Sequence, residues 1–285
     1  MDFNSQTTRI SATMERGLLP LSPLIGPETA ADSELGRQRW GWFAGHLAPM
    51  GRLTVGAALA APWLEARGAT SALWTLVGES GAGKTVLLHT CASVYGKPSD
   101  WSNHYPLMLD DVQSITFSPA SALTPIIMGA QRTRATRSGT LAERSGSWHS
   151  LAFLTSNSPL RDELTHELWG RRLIEIDAGM LWQARPTDPT AQNLWWSEIV
   201  TAHREMQGAP WLALNEQYKS GAKSALGMAH AIESVDKPGA GNIGMVTQLA
   251  VAGCQWLAHW TGNPAWIEGV ADAATAVCEV PRNGK

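Results

Sequence analysis

Apolar positions along this chain fall into two rhythms. Residues 72–77 (Ala-Leu-Trp-Thr-Leu-Val), 105–111, 148–156 and 173–177 are short, almost continuous apolar runs, the length and density of strands buried on both faces. Around them, apolar residues recur at helical spacing and predict helices over 34–47, 53–66, 86–95, 121–129, 194–206, 210–223 and 241–260. Gly96 and Pro98 end the helix that follows the first strand. Strands alternating with helices predict an α/β fold with a central parallel sheet. Only about nine residues, 96–104, separate that helix from the next apolar run. The second strand, or a very short one before it, therefore follows the helix directly.

The pattern weakens at both ends. Residues 1–34 are polar and broken by Pro20, Pro23 and Pro27, which predicts an arm or docking segment. From about Trp182 onward the chain turns helical, with Asp236-Lys237-Pro238-Gly239 as the turn between the last two predicted helices. The expected division is an arm over 1–34, an α/β core over 35–180 and a helical subdomain over 181–285.

The strand at 72–77 runs into Gly78-Glu79-Ser80-Gly81-Ala82-Gly83-Lys84-Thr85, which fits the phosphate-loop pattern G-x-x-x-x-G-K-[ST] at every fixed position. Backbone N–H groups must turn inward around a phosphate chain, and glycines permit that turn. Lys84 would reach the β- and γ-phosphates of ATP, Thr85 would ligate Mg²⁺, and the following helix would add its N-terminal dipole. This predicts a nucleotide site over Gly78 to Thr85.

Three further features fall into place around the loop. The run ending Leu107-Met108-Leu109-Asp110-Asp111, with Asp110 26 residues beyond Lys84, has the form of a Walker B element. Asp110 would complete the Mg²⁺ site and Asp111 would polarise the attacking water; adjacent acids after a strand also occur in plain turns. Asn157, closing Leu154-Thr155-Ser156-Asn157 ahead of Pro159 at the end of an expected central strand beside the Walker B run, is placed to bond a γ-phosphate or water, the alternative being a strand-end turn residue. Arg171 and Arg172, just before the run at 173–177, are candidates for a guanidinium that reaches a neighbouring subunit's nucleotide, one of them being left to pair locally.

Composition narrows the partners. The chain has 285 residues, is 44% apolar, and carries a formal net charge of -3 with a pI near 6.2, so any nucleic-acid contact has to be local. The dense basic patch is Arg132, Arg134, Arg137 and Arg144 against one acid, Glu143. It is either a solvated loop or, as in ring ATPases where a hairpin at this place enters the pore, a phosphate-backbone contact. Cys91, Cys254 and Cys278 are scattered, without metal spacing, and are read as packing residues of a protein in a reducing cytosol. Most of the fourteen tryptophans are expected in the core or at interfaces. The most apolar run, 55–64, is short and broken by Pro62, so no membrane span is predicted.

The residues at 57–62, 78–85, 94–98, 107–111, 132–139, 148, 154–157 and 170–176 together resemble a phage and mobile-element ATPase domain, the nine-hundred-and-twenty-seventh catalogued domain of unknown function. That family is similar to superfamily 3 and AAA+ helicases, whose third motif ends in a comparable Thr-Ser-Asn. The resemblance covers 51–178 closely and the C-terminal helices loosely. It implies a P-loop NTPase of the AAA+ or superfamily 3 type, working as a homo-oligomer, a hexamer, with ATP and Mg²⁺ at subunit interfaces and single-stranded DNA in the pore. The implied setting is replication of a phage or mobile element in a bacterial host's cytoplasm, alongside other replication proteins. One departure stands out: relatives often carry Glu where this chain has Asp111. The expected function is a DNA helicase or translocase driven by ATP hydrolysis; the alternatives are an ATP-gated loader or assembly ATPase that does not unwind DNA and, against the lack of a substrate-lid signature, a small-molecule kinase.

Overall fold

The computed structural model describes residues 33–64, 69–96, 106–114, 123, 131–135, 141–147, 150–162, 164, 170–183, 185–219 and 241–279. In chain order these form helices α1 (Ser33–Ala44) and α2 (Pro49–Ala60), strand β1 (Ala72–Val77), helix α3 (Lys84–Ser93) and strand β2 (Leu107–Leu109). Strands β3 (Gln131–Ala135), β4 (Leu141–Ser147), β5 (Leu151–Ser156) and β6 (Leu173–Asp177) follow, then helices α4 (Pro189–Met206), α5 (Ala209–Lys219), α6 (Gly241–Thr261) and α7 (Val270–Glu279). The arm up to residue 32, the predicted helix at 121–129 apart from Leu123, the Asp236 to Gly239 turn, Tyr105, Trp148 and Arg137 lie outside the described residues.

The fold is mixed α/β. Four strands form one sheet in the order β2-β5-β1-β6, every neighbouring pair parallel. β5 is thus inserted between β1 and β2. β3 and β4 pair antiparallel in a separate two-stranded sheet.

The near-continuous apolar strands are buried on both sides, as parallel strands are. One face carries Met108, Phe153, Trp74, Leu76, Ile174 and Ile176, in a core shared with every described helix. The other carries Leu107, Leu109, Ala152, Leu154, Leu73 and Leu173, packed with Val112, Leu123, Leu160 and Leu164. Under the helical face, α2 is buried from Met50 to Ala60. It crosses α6 backbone to backbone: a Cβ on Gly56 would strike Ala250 O and Cys254, and one on Gly253 would strike Gly56 O. Two glycines at one crossing let the helix axes approach as no side chain would.

Several boundaries differ from the sequence reading for identifiable reasons. α1 stops at Ala44 because the chain beyond it turns to pair with the segment after β6, through Ala48 N–H to Leu181 O (3.0 Å) and Gln183 N–H to His46 O (2.9 Å). α2 starts at Pro49, four residues before the prediction, since proline fits a helix's first turn, where its missing N–H costs nothing. The loop helix begins at Lys84 itself. α7 was not expected from the pattern, and it corrects the reading of Cys278. Val270, Ala273 and Val277 form its buried stripe, and Cys278 lies off that stripe and is exposed, whereas Cys91 and Cys254 are buried as expected. None of the helices among the described residues is long and apolar enough to cross a membrane.

Candidate functional site

Because the sheet is parallel, β1, β5 and β2 end at the same edge, and the chain leaving each strand meets the others there. β1 leads into residues 78–83, where Gly81 and Gly83 hold φ of 81° and 87°, backbone that side chains rarely adopt. Gly83 is the residue before α3 and has a second constraint. A Cβ there would strike the Trp196 ring and come within 2.5 Å of Trp182 Nε1. The loop is therefore backed by tryptophan on one flank.

On the other flank the predicted residues converge. Lys84 is 8% exposed, and its side chain folds back so that Nζ donates to Gly78 O (2.5 Å), Glu79 O (2.9 Å) and Asn157 Oδ1 (3.0 Å). Burial pulls its pKa below the usual lysine value, while the charges of Asp110 and Asp111 work against that shift. Thr85 Oγ1 donates to Asp110 Oδ1 at 3.0 Å. Glu79, Ser80, Gly81 and Thr85 are exposed, and Ala82 is half-buried. The loop thus presents an open mouth over a buried ammonium.

β5, the strand between loop and acids, ties them together. Thr155 Oγ1 accepts from the Asp111 N–H at 2.8 Å and donates to Asp110 Oδ1 at 2.5 Å. Two threonine hydroxyls, from α3 and β5, therefore converge on one carboxylate oxygen. The Asn157 N–H donates to Gln113 Oε1 at 3.3 Å, and Gln113 Nε2 donates to the Ser158 hydroxyl. Asp111 has φ of 50°. Aspartate occupies the left-handed region more readily than most side chains, because its short polar arm bonds locally. The backbone here suits the shorter acid.

The remaining predicted residues are elsewhere. Arg171 and Arg172 precede β6 at the opposite edge of the sheet, Arg171 exposed and Arg172 half-buried. Asp177 at the far end of β6 pairs in register with Val77, so the length of that strand, about 16 Å by strand rise, separates the arginines from the loop of their own chain. Arg132 and Arg134 lie on β3 and Arg144 on β4, with Thr133 opposite Arg144. The hairpin they form is outside the four-stranded sheet.

Behind the loop, α3 is braced against α4. Thr90 Oγ1 and His203 Nε2 lie 2.7 Å apart, and burial, followed by the proximity of His89, pushes the His203 pKa down to about 4. Burial likewise lowers His89, against an opposing contribution from Asp110. α4 is started by Asp188, whose carboxylate accepts from the Ala191 N–H at 2.8 Å, and by Pro189 in its first turn.

Three contributors were not singled out in the sequence: Thr155 as the bridge to both acids, Gln113 as the support of Asn157, and Trp182 with Trp196 as the wall behind Gly83. The signal for Thr155 was present, a β-branched hydroxyl two residues before Asn157. Nothing local marks Trp196 as a neighbour of a glycine more than a hundred residues away.

Comparison with known proteins adds three findings. The family described as domain of unknown function DUF927 matches residues 47–146, which span α2, the loop, the acids and the β3–β4 hairpin. No curated protein matches the chain by sequence. A solved structure titled "SCCmec type IV Cch - active helicase" superposes with a TM-score of 0.56 at 13% identity, over 81% of this chain and 47% of that one. The chain spans about half of that protein, and at this identity what the two share is the fold.

Proposed function

We propose that the chain is an ATP-hydrolysing P-loop motor acting on DNA. The observation that carries this reading is the meeting of Lys84, Thr85, Asp110, Thr155 and Asn157 at one sheet edge, contributed by the first turn of α3 and the ends of the neighbouring strands β2 and β5. Likeness to the solved mobile-element helicase and to the DUF927 family supports it.

The residues fit the ligands. Gly81 and Gly83 shape a cradle for a phosphate chain, and Lys84 bonds carbonyl and amide oxygens among the described residues, partners that phosphate oxygens would replace. Thr85 and Asp110 are hard oxygen donors 3.0 Å apart, the sparse set that suits Mg²⁺, which keeps most of its waters. When bound, Mg²⁺ supplies charge neutralisation and a template for the β- and γ-oxygens. Lys84 holds the terminal phosphates, Asn157 and Asp111 orient and polarise the water, and Thr155 fixes both acids. Arg171 or Arg172, at the far sheet edge, acts on a neighbouring subunit's nucleotide in a ring. Arg132, Arg134, Arg137 and Arg144 contact single-stranded DNA.

The test is ATP hydrolysis with and without single-stranded DNA, with the mass in solution followed in parallel. DNA-stimulated turnover in a ring-sized species supports the motor; no hydrolysis, or phosphate transfer to a small molecule, overturns it. Asp111 favours a second reading, an ATP-gated loader. A carboxylate one methylene shorter than glutamate, on a backbone at φ 50°, reaches less far toward a water. Nucleotide-dependent assembly with weak, unstimulated hydrolysis would select that reading.

A further inference from the structure

The two flanks of the 78–85 loop differ in chemistry. One flank, with Asp110, Thr155 and Asn157, is polar and suits phosphate, metal and water. The other is aromatic. Trp182 and Trp196 meet edge to face with centroids 4.9 Å apart, Trp195 and Trp196 at 4.5 Å, and Trp195 continues to His46 at 6.0 Å. Gly83 lies directly against this group.

Its position is fixed by α1, the turn after it, the segment after β6 and α4. Leu47 and Trp182 form an antiparallel bridge, Phe43 packs edge to face on Trp182 at 6.1 Å, and α4 supplies Trp195 and Trp196. Two details distinguish the group from plain core packing. Trp195, Trp196 and Arg185 are only half-buried, and the Arg185 guanidinium stands over the Trp196 ring, 5.7 Å from its centroid, a cation–π arrangement that leaves an aromatic and cationic surface beside the loop. In addition, Trp182 is only 9% exposed, and its buried Nε1 has no hydrogen-bond acceptor among the described residues. A buried indole N–H is nearly always bonded, and this one, set against Gly83, has no acceptor among the described residues.

We propose that this aromatic flank is the nucleoside end of the site, where the base of a purine nucleoside triphosphate stacks on the Trp195–Trp196–Arg185 surface and a ligand oxygen accepts a hydrogen bond from Trp182 Nε1–H. The inference rests on the phosphate-loop reading above and extends it to recognition of the base. A base held outside a phosphate loop needs a flat, partly desolvated surface, and stacking area favours purines over pyrimidines. The same surface ties nucleotide occupancy to α4, because Trp195 and Trp196 belong to it.

Calorimetric titration of the full chain with ATP, with CTP and with inorganic tripolyphosphate, which carries phosphates and no base, separates the two levels. Wild type is expected to bind ATP about tenfold more tightly than CTP, and Trp196→Ala to weaken ATP about tenfold while changing tripolyphosphate by less than about twofold. Trp196→Phe, which keeps a ring at lower cost to the packing, should give about a threefold loss with the same selectivity. Equal losses for ATP and tripolyphosphate in Trp196→Phe, or no loss for ATP in Trp196→Ala, would overturn the base-stacking proposal and leave the phosphate loop intact. A wild type that binds neither ATP nor tripolyphosphate, with Lys84→Ala indistinguishable from it, would overturn the phosphate-loop reading and the proposal with it.

Discussion

The C-terminal edge of the four-stranded sheet and the β3–β4 hairpin carry the two halves of the proposed activity, and they are assembled in opposite ways. At the sheet edge, residues from three strand ends and one helix are hydrogen-bonded to one another, with β5 between β1 and β2 as the connecting piece. The hairpin is local: its strands pair with each other, with register shifts on both sides of Thr133. A site built by convergence is held by the whole core. A site built on one hairpin depends on composition, and its arginines act additively through charge.

That contrast can be attacked directly. The largest effect is expected from Lys84→Ala, which removes the cation at the centre of the edge; hydrolysis should fall roughly 10²–10³-fold, while single-stranded DNA affinity without nucleotide stays within about twofold. Loss of DNA binding in the same variant would show that the two regions are not separable.

Next in size is the response to pH. His203 is neutral in the folded protein with a pKa of about 4, against 6.5 for the free side chain. Below pH 6.5 the unfolded chain takes up a proton that the folded chain refuses. Stability is therefore lost as pH falls from about 6.5 to about 4, by up to about 3 kcal/mol. Urea unfolding of wild type and His203→Gln across this range measures it, the variant showing a shallower slope.

Thr155→Val should cost about 1–3 kcal/mol of stability, since it strips from a buried strand end a hydroxyl that accepts from the Asp111 N–H and donates to Asp110. Hydrolysis should drop about tenfold at the same time, measured at saturating ATP. A fall in stability with unchanged turnover would make Thr155 a packing residue alone. The smallest effect belongs to the hairpin. Arg134→Ala combined with Arg137→Ala should weaken single-stranded DNA binding about tenfold and lower the salt slope by about 2, with basal hydrolysis unchanged. An unaltered salt slope would leave the patch a solvated face.

How much of this was readable in the sequence follows the same division. The loop, the strand before it and the acids were legible because each depends on short, local spacing: Gly78 to Thr85 specify a turn, and Ala72 to Val77 a strand whose limits the structure reproduces. Strand order was legible in part: the strand ending at Asn157 was expected to be central and beside the Walker B run, as it is, but nothing in Leu151 to Ser156 states that it also pairs with β1. The contact that follows from that pairing, Lys84 to Asn157, was therefore out of reach. The start of α2 at Pro49 was legible in principle and missed for lack of weight on proline's place in the first turn. The tryptophans behind Gly83 join the loop through the pairing of His46 to Ala48 with Leu181 to Gln183 and the bracing of α4 on α3, long-range events without a local signature.

The seam between α2 and α6 has a further consequence. Because Gly56 and Gly253 meet backbone to backbone, and because α2 is buried along nearly its whole length, neither helix is self-sufficient. A chain severed between α5 and α6 yields two pieces that each expose half of an apolar crossing shaped for the other. Coproduced, such fragments should recover one another as a complementation pair. A single methyl at residue 56 or 253 should prevent that reunion while leaving the phosphate-loop sequence untouched, so fragment rescue would report on this crossing and on nothing at the nucleotide site.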